Sequence, residues 1–184
     1  MGAMVAAGGW PRETLGGCFP RAPAAYLRSM DWMLFFIFLA SCGGAAATGA
    51  MFQPGAWYKA LEKPSWTPPN WAFPVVWTIL YVAIAYAATR VAPLDDTAFA
   101  MAFFAVQISF NTLWTPVFFG LHRMKAGLVV IAILWVAVLG TLTHFWSHDL
   151  IAGLLIMPYL AWVSVAAALN FQVWRLNRNR PVES

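Results

Sequence analysis

Residues 32–58, 64–89, 97–122, 126–148 and 150–174 contain no Asp, Glu, Lys or Arg, and this segregation of charge constrains the fold more than any other feature of the chain. A helix needs about 20 mostly apolar residues to cross some 30 Å of bilayer hydrocarbon, and each uncharged stretch can hold one. With 61% hydrophobic and 10% charged residues, the composition is that of an integral membrane protein. The pattern predicts an all-α, five-helix transmembrane bundle with spans at about 32–52, 71–91, 98–120, 126–146 and 150–174. Residues 30–177 then form the transmembrane domain. Residues 1–29, rich in Ala, Gly, Pro and Arg, read as a disordered N-terminal extension, and 178–184 as a basic C-terminal tail.

Cations near the span ends set the orientation. Arg21, Arg28 and Arg90 fall on the N-terminal side, against Lys59, Lys63, Arg123, Lys125, Arg175, Arg178 and Arg180 on the other. The bias puts the C-terminus and the 53–70 loop in the cytoplasm. The formal net charge of +4 is then a matter of juxtamembrane residues beside membrane lipid, with no nucleic acid needed to explain it. Leu39–Ala40–Ser41–Cys42 has the form of a lipoprotein processing site, but four further spans favour a first transmembrane helix there. The two cysteines, Cys18 and Cys42, fit neither a disulfide framework nor a metal spacing.

Residues 57–77 read WYKALEKPSWTPPNWAFPVVW, with four tryptophans and four prolines at the entrance to the second span. Proline fixes φ and disfavours helix in the residue before it, so residues 63–70 are expected to be extended and stiff. In the second span Phe73, Trp77 and Tyr81 recur four apart on one face, as packing or as the wall of a pocket. In the third, Gln107, Asn111 and Trp114 form a polar stripe in an apolar helix. Lipid cannot satisfy such groups, so they face a neighbouring helix or a cavity. Pro116 predicts a kink near that helix's end.

The other spans carry weaker signals. Ser41 to Gly49 is a run of small residues expected to pack closely within the monomer. The fourth span, mostly Leu, Val, Ile and Ala, reads as a lipid-facing strut. The fifth places Tyr159, Trp162, Ala166, Leu169 and Asn170 on roughly one side. Ala98, Ala102 and Ala105 give the third span a small-residue face suited to a homodimer contact. No Asp, Glu, Lys, Arg or His lies in mid-span, which argues against ion-coupled transport. No Walker loop, nucleophile–base pair or Cys/His metal cluster occurs, and the histidines sit near helix ends, so axial ligation of haem iron is not evident.

The Trp/Pro segment, with Gln107–Asn111–Thr112–Leu113–Trp114–Thr115–Pro116, Pro158–Tyr159–Trp162 and Leu169–Asn170–Phe171, resembles the TspO/MBR family of tryptophan-rich sensory and translocator proteins. The motifs occur in that family's order over about 30–181. The resemblance implies a bacterial cell-membrane protein, homodimeric, that binds porphyrins (protoporphyrin IX or haem) with no obligatory cofactor. Other hydrophobic ligands would be sterols and isoquinoline or benzodiazepine drugs. It implies a role in tetrapyrrole transport and in regulating pigment synthesis in response to oxygen, light or stress. Light-dependent porphyrin degradation is the enzymatic alternative, and a structural subunit of a larger membrane complex a third. Trp162 and Ala166 match family positions that line the ligand site. The expected site is Trp77, Asn111 and Trp162, surrounded by Tyr58, Phe73, Tyr81, Trp114, Ala166 and Leu169, with Trp66 and the Pro68–Pro69 turn as lid. Leu169 to Arg175 resembles the family's sterol-recognition segment but has Phe171 where that segment has tyrosine, which weakens a sterol assignment.

Overall fold

The computed structural model describes residues 30–179, which are helical with no strand among them. The five spans are α1 (Trp32–Met51), α3 (Ala72–Val91), α4 (Ala98–Thr115), α5 (Met124–His148) and α6 (Leu150–Asn177); a short α2 (Ala56–Ala60) lies in the first loop. All five are long and apolar enough to cross a membrane. The 1–29 extension and tail residues 180–184 lie outside the described residues.

Local chemistry fixes the ends. Asp31 caps α1 by accepting from the Leu34 N–H at 2.9 Å. Asp149 alone joins α5 to α6. Its N–H donates to the Phe145 carbonyl, and its carboxylate caps α6 by accepting from the Ala152 N–H at 2.8 Å. One residue thus closes one helix and opens the next, so α5 runs two residues past its expected end. The Asn177 side chain donates to the Val173 carbonyl at 2.8 Å and carries α6 beyond residue 174. The kink expected at Pro116 takes the form of a π-helical turn, Pro116–Gly120. Proline has no N–H for the preceding turn, and the wider winding accommodates the gap.

The spans form a closed ring in the order α1–α3–α6–α5–α4, with α4 returning to α1. Two expectations need correction here. The fourth span, α5, is not only a lipid-facing strut: Val129, Ile133 and Val136 are exposed, but its opposite face packs. It buries Gly127, Val130, Ile131, Leu134, Ala137, Val138, Thr141 and Phe145 against α4 and α6. Those positions follow a repeat of three and four, which a uniformly apolar helix hides from a polarity argument. The small residues of α1 are not consumed within the monomer either. Only Cys42 and Ala45 are buried, and a Cβ at Gly43, Gly44 or Gly49 would meet nothing within 4 Å. The helix touches the ring along a single narrow stripe. Gly153 behaves oppositely: a Cβ there would stand 2.8 Å from the Trp146 Cα, so only glycine lets α5 and α6 approach this closely.

The ring has two unlike halves. Away from the Trp/Pro loop it is filled by small and branched side chains, with Ile84, Ala85, Ala87, Ala88, Val91 and Ala100 wholly enclosed. Toward the loop the filling becomes aromatic. At the far end Arg90 grips Asp149, with Nη2 2.7 Å from Oδ2 and Nε 3.1 Å from both carboxylate oxygens. This pair pins α3 to the start of α6.

The Arg90 guanidinium holds the Asp149 carboxyl below its ordinary range; partial burial opposes this and the Ala152 N–H assists it. A depressed folded-state pKa stabilises the fold fully above the ordinary carboxylate range near pH ~4, and the contribution is lost as pH falls through the depressed value. Asp149→Asn, which keeps the cap, is expected to cost about 1–2 kcal/mol at neutral pH for this partly exposed pair. Thermal unfolding in detergent between acid and neutral pH checks this: the parent should lose stability on acidification and converge on the variant.

Candidate ligand-binding site

Three helices meet where the aromatic half begins. Spacings of three and four put Phe73, Trp77 and Tyr81 of α3, Gln107, Asn111 and Trp114 of α4, and Tyr159, Trp162 and Ala166 of α6 on inward stripes. At the base lies a line of hydrogen bonds. The Tyr81 hydroxyl donates to Asn111 Oδ1 at 3.1 Å, Asn111 Nδ2 donates to the Tyr159 oxygen at 2.8 Å, and the Tyr159 hydroxyl donates to Gln107 Oε1 at 2.8 Å. All four side chains are buried, Gln107 and Tyr159 completely. The polar stripe of α4 therefore serves interhelical bonding, and it holds α3 and α6 in one register.

An aromatic layer rests on this line. Trp77 stacks on Tyr81 at 5.3 Å between centroids and meets Tyr159 edge-on at 6.0 Å. Phe73 meets Trp162 edge-on at 5.6 Å. A second cluster begins nearer the loop, where Tyr58, Phe118, Leu169 and Val173 are buried beneath Trp57, Phe73 and Phe119. Trp114 packs against both clusters and lies within 10° of parallel to Phe118, 5.3 Å away.

The expected residues therefore divide. Trp77, Tyr81, Asn111, Trp162 and Ala166 come together with the main core; Tyr58, Phe73 and Leu169 join the second cluster, with Phe73 touching Trp162. Trp66 is 49% exposed in the loop and belongs to neither. The sequence reading put Gln107 and Tyr159 on inward stripes without counting them among the site residues; the structure places both in the hydrogen-bonded line beneath the aromatic layer. The signal was present: Gln107 stands four before Asn111, and Tyr159 three before Trp162.

Above the site the Trp/Pro loop is tied down. The Glu62 N–H donates to Asn177 Oδ1 at 3.0 Å, and Asn177 Nδ2 donates to the Glu62 carbonyl at 2.9 Å. Lys63 donates to the Lys59 and Leu61 carbonyls and lies 4.8 Å from the centre of the Tyr58 ring, a cation–π contact at the site's edge. Several buried polar atoms have no protein partner: Trp162 Nε1, Trp114 Nε1, Gln107 Nε2, and both amide atoms of Asn170. Buried donors are nearly always paired, so unpaired indoles in an aromatic layer mark groups able to bond something else. Among the described residues no group of His, Cys, Asp or Glu gathers to hold a metal. His122 stacks on Trp57 and His144 on Phe103, away from this layer. The site can stack flat rings, donate from indoles, and offer a cation at its rim.

In lipid an orphaned group finds no water, yet interhelical hydrogen bonds there average only about 0.6 kcal/mol. Tyr81→Phe, which strands one oxygen of Asn111, is expected to cost about that much. Tyr159→Phe strands both Asn111 Nδ2 and Gln107 Oε1 and should cost about 1–3 kcal/mol. Reversible unfolding in mixed micelles measures both, and equal costs would mean that Tyr159 is not the hub.

The sequence profile of the TspO/MBR family matches residues 33–175. The chain is 52% identical over 152 residues to Protein CrtK of Rhodobacter capsulatus, covering 80% of this chain and 95% of that protein. It is 51% identical over 153 residues to the tryptophan-rich sensory protein of Cereibacter sphaeroides, covering 83% and 97%. The translocator protein of Sus scrofa is 32% identical over 151 residues, covering 79% and 89%.

Proposed function

The chain belongs to the TspO/MBR family, a multi-pass integral membrane protein, and from that premise we propose that it is a receptor and carrier for flat hydrophobic ligands, above all porphyrins such as protoporphyrin IX or haem. One observation carries the reading: the aromatic layer of Phe73, Trp77 and Trp162 contains a buried indole N–H with no protein partner, and Trp114 beside it contains another. A macrocycle would stack on the indoles and accept from their N–H groups, and its carboxylates would reach Lys63 at the rim. The sensory and translocator names of the relatives fit a role in tetrapyrrole traffic and in its regulation. A sterol at residues 169–175 is less well supported. Phe171 lacks the hydroxyl and lies exposed against Trp174, 5.7 Å away.

Protoporphyrin IX is expected to quench tryptophan emission at micromolar concentration. Trp77→Phe and Trp162→Phe should each weaken binding by roughly 0.5–1.5 kcal/mol, or about two- to twelve-fold. Unchanged affinity in both variants would remove the site.

The proposed setting is a bacterial cell membrane with the Trp/Pro loop and the C-terminus cytoplasmic. In oriented vesicles of a cysteine-free background, cysteines placed at Ser65 and Ser184 should be labelled from that same side. Labelling from opposite sides would refute the arrangement.

The proposed assembly is a homodimer through α4. Ala98, Ala102 and Ala105 all face outward from the ring, where close backbone approach in lipid is available. Ala102→Leu should shift the detergent-solubilised protein toward monomer by light scattering while porphyrin binding persists. The exposed glycines of α1 offer a competing face, so a monomer from Gly43→Leu, with Ala102→Leu still dimeric, would move the interface there.

A further inference from the structure

A groove of about 340 Å³ runs along the outer side of the seam between α3 and α6. Its walls are Ile79 and Leu80 of α3 and Pro158, Ala161 and Val165 of α6, together with Trp162. Every one of these residues lies within a membrane span, so the groove opens onto hydrocarbon rather than water. Trp162 belongs to both places: it lines the groove and meets Phe73 of the aromatic layer at 5.6 Å. Leu80 is likewise adjacent in sequence to Tyr81, which ends the Trp77 stack.

Two routes lead to the aromatic layer, and they are closed with unequal strength. The route past the Trp/Pro loop is shut by the paired hydrogen bonds between Glu62 and Asn177, which join positions 115 apart, and by Lys63 bonded to two carbonyls above Tyr58. That loop also carries Pro64, Pro68 and Pro69, which limit how it can bend. The lateral route is closed by apolar contacts alone, Val76 and Leu80 of α3 beside one indole, that of Trp162. Its N–H is buried and has no partner, so swinging Trp162 breaks no hydrogen bond. The α3–α6 seam is also packed less extensively than the α5–α6 and α4–α5 seams, so parting it here disturbs less. Pro158 adds to this, because a proline inside α6 removes one backbone hydrogen bond at the level of the groove.

We infer that the groove between α3 and α6 is the entrance to the site, through which a flat hydrophobic ligand passes edge-on from the bilayer, with Trp162 as its door. The inference rests on the ligand-binding reading above and adds the path. A ligand of this kind partitions into membrane before it meets protein, and the groove presents carbon to it throughout, whereas the loop presents cations and clasped backbone.

The test is stopped-flow quenching of tryptophan emission by protoporphyrin IX, using the full chain in phosphatidylcholine vesicles. Val165→Phe and Ala161→Phe fill the groove from positions that face away from the aromatic layer. Both are expected to slow association and dissociation at least tenfold while the equilibrium affinity stays within twofold. Both positions are exposed, and Ala161→Phe adds the greater volume; if it fails to fold by circular dichroism, Val165→Phe carries the test. Asn177→Ala opens the clasp and should leave the association rate within twofold of the parent. Unchanged rates in the groove variants, or a tenfold faster association in Asn177→Ala, overturn the lateral entrance while leaving binding intact. A loss of affinity at an unchanged association rate makes the groove part of the site and overturns the entrance as well. Absence of binding by the parent chain overturns the porphyrin reading, and the entrance falls with it.

Discussion

Hydrocarbon offers no hydrogen bonds, so a buried amide that its own helix cannot satisfy depends on another helix, and the line Tyr81–Asn111–Tyr159–Gln107 is where that dependence sets the architecture. Asn111 needs a donor from α3 and an acceptor from α6 at once, which fixes the rotation of three helices together. Turning α4 by a single residue would swing Gln107 and Asn111 about 100° toward lipid, since a helix has 3.6 residues per turn. With the register fixed, the residues one turn further along each stripe (Trp77, Trp114 and Trp162) are carried inward as well. The aromatic layer follows from the polar line beneath it.

The two layers are satisfied to different degrees. At the base, three hydrogen bonds of 2.8–3.1 Å leave only Gln107 Nε2 unpaired. One layer up, the indoles of Trp114 and Trp162 keep their N–H groups unpaired in buried surroundings, a destabilising arrangement that a purely structural core would avoid. Replacing either indole by phenylalanine would remove the orphan donor, though it would also leave space in the layer. Unpaired indoles in an aromatic layer beside a rim cation support the proposed site, although Asn170, outside that layer, also leaves both amide atoms unpaired.

The uncharged stretches made the five spans legible almost residue by residue, because burying a charge in lipid is costly enough to dominate every weaker preference. Asn111 was equally legible: an amide in mid-span has few places to go. What the sequence hid were relations between helices. The buried stripe of α5, from Gly127 to Phe145, is invisible where the lipid face is as apolar as the core face. The small residues of α1 looked like packing, but nothing in a run of Gly and Ala tells how many neighbours a helix will have, and α1 has them on one side only. Trp66 belonged to a motif that draws attention to all its tryptophans, yet it is 49% exposed and joins neither aromatic cluster. Tyr159 was named by its motif, and only its partner atoms on Asn111 and Gln107 show it to be the hub of the polar line.

The seam between α3 and α6 gathers these constraints into a sequence of holds along its length. At the far end Arg90 clamps it through Asp149, the residue on which α5 turns into α6. In the middle Tyr81 and Tyr159 are tied across it by the single amide of Asn111. At the loop end Asn177 fastens α6 to Glu62. Between the second hold and the third the seam is closed by apolar contact alone, beside Pro158 and Trp162. A pair of helices pinned at the far end and in the middle, and held at the other end only through the loop before α3, yields where direct pins are absent, and here that stretch flanks the aromatic layer.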